Sequence, residues 1–308
     1  ANLPDNAVAY PADLTTGNFD PAPLKDVTHA LYCAYVNAHG FEADRVPNVA
    51  LMNGALDLCE ACPNLTHITL MQGNKAYGSH LGPFKTPAKE SDPRIQGGHF
   101  YDDQLDALTA RADKRGWSWS VLRPHVVIGP ALKSPMNLMA VLGAYGTLQK
   151  ANGKPFAFPG PAAAFTPIYQ ATDSDILSRA IDWCGIAEKA HGEIFNITNG
   201  DYFRWTNVWE TIAKFFDLSA APPQNIKLAE TMGDDGPLWA RLADEHNLLE
   251  RDLDAMVSWG FGDYVFGTTW DVMSDATKIR KFGFWDFVDT EVMLIDRLEQ
   301  LRTLKIIP

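Results

Sequence analysis

Residues 65–78 read LTHITLMQGNKAYG, and residues 99–130 read HFYDDQLDALTARADKRGWSWSVLRPHVVIGP. The first stretch predicts a buried strand over 65–73, because aliphatic and β-branched residues run up to Gly73, just before Lys75. In the second, Tyr101, Leu105, Leu108 and Ala112 share one helical face, so Tyr101 opens a helix whose apolar stripe packs inward. Residues 118–129 predict the next strand, stopped by Gly129-Pro130. The Gly-, Pro- and Lys-rich segment 78–99 between these elements predicts a loop.

Working outward, THALYCAYV (28–36) predicts an earlier strand and residues 48–62 a helix after it. Strands alternating with helices indicate an α/β, Rossmann-like doubly wound parallel sheet. Beyond residue 130 the expected elements are a helix over 136–150, a loop GKPFAFPGP at 153–161, and a helix within 172–190 capped by Asp173 or Ser174. EIFNITNG (193–200) predicts a short strand that returns to the sheet. From Asp201 the chain reads as mostly helical and aromatic-rich, with Trp205, Trp209, Trp239, Trp259 and Trp270. The expected organisation is a dinucleotide-binding domain over 1–135, joined by 171–200, and a smaller substrate lobe from 136–170 and 201–308. Each aromatic of that lobe is equally open to a plain core role.

Composition narrows the function. The 308 residues carry a net charge of −12, which argues against non-specific nucleic-acid binding, since that depends on basic residues neutralising phosphates. No run of about 18 apolar residues suggests a membrane span. The stretch from Ala1 to Asp13 lacks the basic start and apolar core of a secretory signal, so a cytoplasmic protein is expected. Cys59 and Cys62 have redox or zinc spacing, but no second ligand pair accompanies them. Cys59 continues the helical row Val49, Met52, Leu56, so a reduced helical cysteine and no metal site are expected.

A doubly wound nucleotide fold normally begins with a strand, a Gly-rich turn and a helix that binds pyrophosphate. No such motif occurs in this sequence. NAVAYPADL (6–14) is the first strand candidate and reads as the third strand of such a fold, ending near Asp13. The expectation is therefore that two strands and the glycine turn precede Ala1, the alternative being a fold that never had them.

Together these segments carry a family resemblance. QGNKAYG, HFYDDQLDAL, RPHVVIGP, GEIFNITNGDYFRW, FGDYVFGTTWDVMSDATKIRKFGFWDF and the ending LKIIP resemble the progesterone 5β-reductase/iridoid synthase-like (PRISE) enone reductases of the extended short-chain dehydrogenases/reductases. The likeness runs from Asp13 to Pro308. Ordinary short-chain dehydrogenases hold Tyr-x-x-x-Lys on one helix. Here position 105, one turn after Tyr101, is leucine. In the resembled family lysine comes from a strand end and tyrosine from the next helix, which Lys75 and Tyr101 match. That family usually has two consecutive tyrosines, whereas Asp102 follows Tyr101 here. Tyr77 remains a secondary candidate.

The resemblance implies NADPH-dependent 1,4-reduction of a small apolar enone, with NADH as the alternative cofactor. Tyr101 would hydrogen-bond the developing enolate oxygen, and Lys75 would tune it or contact the cofactor ribose, since a nearby ammonium favours a phenolate. Asp13 would bond the adenine region, although a strand-end Asp commonly serves as a cap or turn residue. Arg123 is expected to be structural, and Pro124, His125 and Val126 to face the nicotinamide through backbone atoms. Met136, Asn137, Phe165, Trp259 and Phe261 are candidates for an apolar substrate wall. A homodimer is compatible with this reading. Two alternatives stay open: an extended short-chain dehydrogenase acting on C=O or a sugar nucleotide, and a non-catalytic dinucleotide-binding redox sensor.

Overall fold

The computed structural model describes residues 5–38 and 40–308. In chain order the elements are β1 (His29–Tyr32), α1 (Phe41–Glu60), β2 (His67–Met71), α2 (Phe100–Arg115), β3 (Ser118–Pro124), β4 (Val126–Ile128), α3 (Leu138–Ala151), β5 (Phe156–Ala157), β6 (Ala171–Asp173), α4 (Ser174–Ile186), β7 (Glu193–Ile197), α5 (Trp205–Phe215) and β8 (Ala220–Ala221). Six helices follow: α6 (Leu228–Thr231), α7 (Gly236–His246), α8 (Leu253–Met256), α9 (Trp259–Phe266), α10 (Thr277–Lys281) and α11 (Thr290–Thr303). The chain divides into two compact units. The first holds residues up to Gly78 with Glu90–Arg123 and Ala180–Phe195; the second holds Ser79–Lys89, Pro124–Arg179 and Asn196–Pro308.

In the first unit the sheet runs in the order β1-β2-β3-β7, with β1–β2 and β2–β3 parallel. This is the expected α/β sheet, and the 193–200 segment returns to it as β7. β2 is buried on both faces, with Ile68 and Leu70 on one and His67 and Thr69 on the other, as a strand of a covered parallel sheet should be. Met52 and Leu56 of α1 pack with Leu105, Leu108 and Ala112 of α2 and with Ile68 and Val121 of the strands. Removing each such aliphatic side chain from water contributes about 1.5–3 kcal/mol. α2 stops at Gly116, whose φ of +72° suits a residue without Cβ.

In the second unit β4 pairs with β6 and β5 with β8, both in parallel. Helix α5 buries Trp205, Val208, Trp209 and Ile212, an i, i+3, i+4, i+7 stripe. The Trp209 ring stacks on Phe156 at 4.6 Å and its Nε1 donates to the Phe156 carbonyl at 3.0 Å. Helix α3 passes very close to its neighbours: a Cβ on Gly146 would lie 2.4 Å from the Phe216 ring. The expected aromatic lobe is largely core, since Trp205, Trp209, Trp239 and Trp259 are all buried.

Three expectations need correction. Residues 6–14 are not a strand: around them there is one isolated bridge, Asp13–Asn18, and Val8 is 91% exposed. Asp13 instead accepts from both the backbone and the hydroxyl of Thr15, a local turn that competes with extended pairing. The single strand expected over 118–129 is two, because His125 interrupts it and β4 pairs with β6 rather than continuing in the four-stranded sheet. The first helix also begins seven residues earlier than the apolar row suggested, at Phe41 rather than Asn48, with Pro47 inside it. The four cysteines are free thiols, and no metal-holding cluster occurs among the described residues. Burial pushes the Cys59 thiol up to about 12, the opposite of a reactive thiolate.

Candidate active site

The carboxyl end of β2 and the amino end of α2 carry the two residues singled out from the sequence. After β2 the chain turns through a short 3-10 helix, Asn74–Tyr77, which sets Lys75 at the mouth of the sheet. Ligands of open parallel sheets bind at this edge. Lys75 is half-buried, and its ammonium lies 5.9 Å from the centroid of the Tyr35 ring. Burial lowers its pKa from the ordinary lysine value, and the Asp44 carboxylate partly opposes that shift. The Tyr35 hydroxyl donates to Asp44 at 2.9 Å, and burial followed by this bond pushes its phenol up to about 12.

Tyr101 is the second residue of α2 and is half-buried. His99 caps the helix: its Nδ1 accepts from the Tyr101 N–H at 3.1 Å, and the Asp102 carboxylate accepts from the His99 N–H at 3.2 Å. This reciprocal pair is a capping box with histidine in place of serine or threonine. The Tyr101 ring lies against Phe100 (4.6 Å) and His99 (4.3 Å), and Phe100 stacks on Tyr35 at 6.0 Å. A row of rings thus leads from the Lys75 ammonium to Tyr101. The Gln72 amide also donates to the Tyr101 carbonyl at 2.7 Å, tying the strand end to the helix start.

The remaining sequence candidates fall in different places. Asp13, in the first unit, is exposed and occupied by Thr15, whose hydroxyl bond leads the effects that hold its carboxyl below the usual range. Arg123, expected to be structural, donates to the Gln72 side chain at 3.0 Å, and its guanidinium covers the Tyr77 ring at 5.1 Å. Tyr77, the secondary tyrosine, is buried beneath it. Pro124, His125, Val126, Met136, Asn137, Phe165, Trp259 and Phe261 belong to the second unit.

There, His125 donates its backbone N–H to Thr172 (3.0 Å), and its Nε2 meets Ser274 Oγ at 2.7 Å. Burial pushes its imidazole down to about 3, so the ring is neutral at ordinary pH. Its buried Nδ1 has no hydrogen-bond partner among the described residues. Asn137 is occupied as the cap of α3, accepting from Met139 (2.9 Å) and Ala140 (3.2 Å). Met136 is exposed, whereas Phe165 and Phe261 are partly buried against the core of this unit. Trp259 is buried, and its indole N–H lacks a partner among the described residues. A cleft of about 430 Å³, lined by Lys133, Pro135, Asp254, Met256 and Ser258, adjoins Met136 and Trp259 along the chain.

A sequence profile described as the PRISE-like Rossmann-fold domain matches residues 15–308. The chain belongs to the PRISE-like Rossmann-fold family. Among its relatives, an (S)-8-oxocitronellyl enol synthase of Nepeta cataria is 30% identical over 93% of this chain and 76% of its own length. A 3-oxo-Delta(4,5)-steroid 5-beta-reductase of Arabidopsis thaliana is 29% identical over the same shares of the two chains. Among solved structures, RMD from Pseudomonas aeruginosa, complexed with NADPH, has a TM-score of 0.64 at 12% identity, covering 98% of this chain and 89% of that one. UDP-glucose 4-epimerase from Thermotoga maritima has a TM-score of 0.61 at 16% identity, over 98% and 86%. At these identities the solved structures establish the fold. This PRISE-like protein is thus an oxidoreductase built on a Rossmann fold.

The side chains of the first unit suit the nicotinamide–ribose end of such a cofactor. A half-buried ammonium and a helix-opening tyrosine stand at the carboxyl edge of parallel strands. Sequence reasoning missed Gln72, Tyr35, Asp44 and His99. Gln72 sits inside the QGNKAYG segment and His99 directly before Phe100-Tyr101, so position alone could have flagged both.

Proposed function

We propose that this PRISE-like protein reduces the C=C bond of small apolar α,β-unsaturated carbonyl compounds with NADPH. The observation that carries the reading is the hydrogen-bonded junction of the Lys75 strand end and the Tyr101 helix start, without a lysine one turn after Tyr101. The names of the relatives, an enol synthase and a Δ4-3-oxosteroid reductase, agree with enolate chemistry. NADPH, when bound, supplies the hydride that reaches the β-carbon.

The chain's own groups then manage charge and position. As the β-carbon is reduced, negative charge builds on the carbonyl oxygen, and the Tyr101 hydroxyl donates a hydrogen bond to that oxygen. Such a donor lowers the barrier by about 3–4 kcal/mol when it is fixed in advance. Lys75, on the strand end that Gln72 ties to the start of the Tyr101 helix, is the cation available to ribose hydroxyls or to the Tyr101 oxygen. Its partial burial keeps water, which would weaken that field, at a distance. A proton taken up from solvent at the α-carbon of the enolate completes the saturated carbonyl product.

NADPH oxidation with 2-cyclohexen-1-one, with the product identified by mass and NMR, tests this reading in wild type and in Tyr101→Phe. A saturated ketone from wild type and a large loss in the variant are expected. An allylic alcohol, or NADPH binding without turnover across an enone panel, overturns the reading.

A further inference from the structure

Two buried polar side chains, Gln72 and His99, bond the backbone of Tyr101, and a third, Arg123, bonds Gln72. Gln72 is 5% exposed, Arg123 7% and His99 3%. Arg123 Nε donates to Gln72 Oε1 at 3.0 Å, and Gln72 Nε2 donates to the Tyr101 carbonyl at 2.7 Å. On the other side of the same residue, His99 Nδ1 accepts from the Tyr101 N–H at 3.1 Å. Arg123 offers only donors and a carbonyl only accepts, so the Gln72 amide has a single orientation that satisfies both.

The base of this chain of bonds is fixed. Gln72 N–H donates to the Leu122 carbonyl at 2.9 Å, which pins it to β3 beside Arg123. The Arg123 guanidinium is held over the Tyr77 ring at 5.1 Å and lies in the field of Asp102. Gln72 and Lys75 lie three positions apart just after β2, so the bond from Gln72 to the Tyr101 carbonyl ties the segment that carries Lys75 to the start of α2. A helix start is otherwise a place where a backbone frays.

We propose that Gln72, oriented by Arg123, is the positioning residue that places Tyr101 against Lys75. The inference rests on the reading of Tyr101 as the oxyanion donor and deepens it. Arg123 of the RPHVVIGP segment thereby acts on Tyr101 through Gln72 and touches no substrate. Misplacing a catalytic group by about 1 Å can cost about a hundredfold in rate.

The experiment compares Gln72→Met, Gln72→Glu, Tyr101→Phe and the Gln72→Met/Tyr101→Phe double variant by steady-state kinetics with NADPH and 2-cyclohexen-1-one. Glutamate keeps an acceptor for Arg123 but, ionised, has no N–H for the Tyr101 carbonyl, so it removes the positioning bond while keeping the volume. A fall in kcat of about tenfold or more is expected in both Gln72 variants, with KM for NADPH little changed. In the Tyr101→Phe background the Gln72→Met change should cost less than about twofold, because the group it positions is already gone. A melting midpoint for each variant separates misfolding from misplacement, with Gln72→Glu as the milder change. Wild-type kcat in both Gln72 variants overturns the proposal, as does an equal loss in both backgrounds. Either result leaves Tyr101→Phe impaired; wild-type turnover in Tyr101→Phe instead sinks the catalytic assignment itself.

Discussion

The Lys75 ammonium lies 5.9 Å from the centroid of the Tyr35 ring, and the hydroxyl of that ring is committed to Asp44 at 2.9 Å. Burial and a carboxylate therefore act on Lys75 in opposite senses: burial favours the neutral amine and Asp44 favours the ammonium. The lysine pKa is lowered overall, so any step that needs the ammonium fades at a pH below the ordinary lysine range.

Asp44→Asn should move that basic limb to still lower pH. Asparagine preserves the volume of the side chain, which receives the Tyr35 hydroxyl and the Ala38 N–H, but it removes the anion that raises the Lys75 pKa. The pH profile of kcat/KM checks this; a limb that stays in place or moves upward would refute the electrostatic account.

Tyr101→Phe should reduce kcat by about 10²–10³, the cost of losing one preorganised oxyanion donor. Lys75→Ala should also impair turnover, and because it removes a partly buried cation it should alter the pH profile as well. Stopped-flow single turnovers separate these losses from slow product release.

Acid should destabilise this protein through two buried histidines. Burial holds His125 at about 3, and burial, then His191 and His29, hold His67 at about 4, both below the unfolded value of 6.5. The unfolded chain thus binds protons that the native chain refuses, so stability is fullest above about pH 6.5 and falls as pH drops toward those values. His125 alone contributes a loss of up to about 1.4 kcal/mol per pH unit inside its window. Urea midpoints measured from pH 7 to pH 4 should fall, and His125→Asn should flatten the slope.

Arg297→Met should lower stability by about 3–5 kcal/mol. The guanidinium makes two bonds to Asp173, at 2.7 and 2.8 Å, and a third ion pair to Asp175 at 2.8 Å. Asp173 is buried and also caps α4 through the Asp175 N–H at 2.8 Å, so the variant leaves a buried carboxylate without its cation. Adding Asp173→Asn should recover part of the loss; a melting midpoint unchanged in Arg297→Met would contradict this.

The sequence by itself determined the elements whose signals are local. Apolar runs predicted β2 and the return of β7, and the Tyr101-Leu105-Leu108-Ala112 stripe predicted α2. These survive because strand and helix periods are written in neighbouring residues. Tertiary structure decided the rest. The stretch 6–14 has strand-like residues but no ladder partner, so Asp13 turns on Thr15 instead. Residues 118–129 divide at His125, whose backbone N–H goes to the Thr172 hydroxyl and whose ring meets Ser274, 149 positions away. Gln72 carries no sequence signal of its own; Arg123, 51 positions on, and the Tyr101 carbonyl fix both ends of its amide. Hydrogen-bond partners so distant in the chain leave no periodic trace in the sequence; they exist only once hydrophobic packing has brought their elements together and removed the water that would otherwise satisfy each group alone.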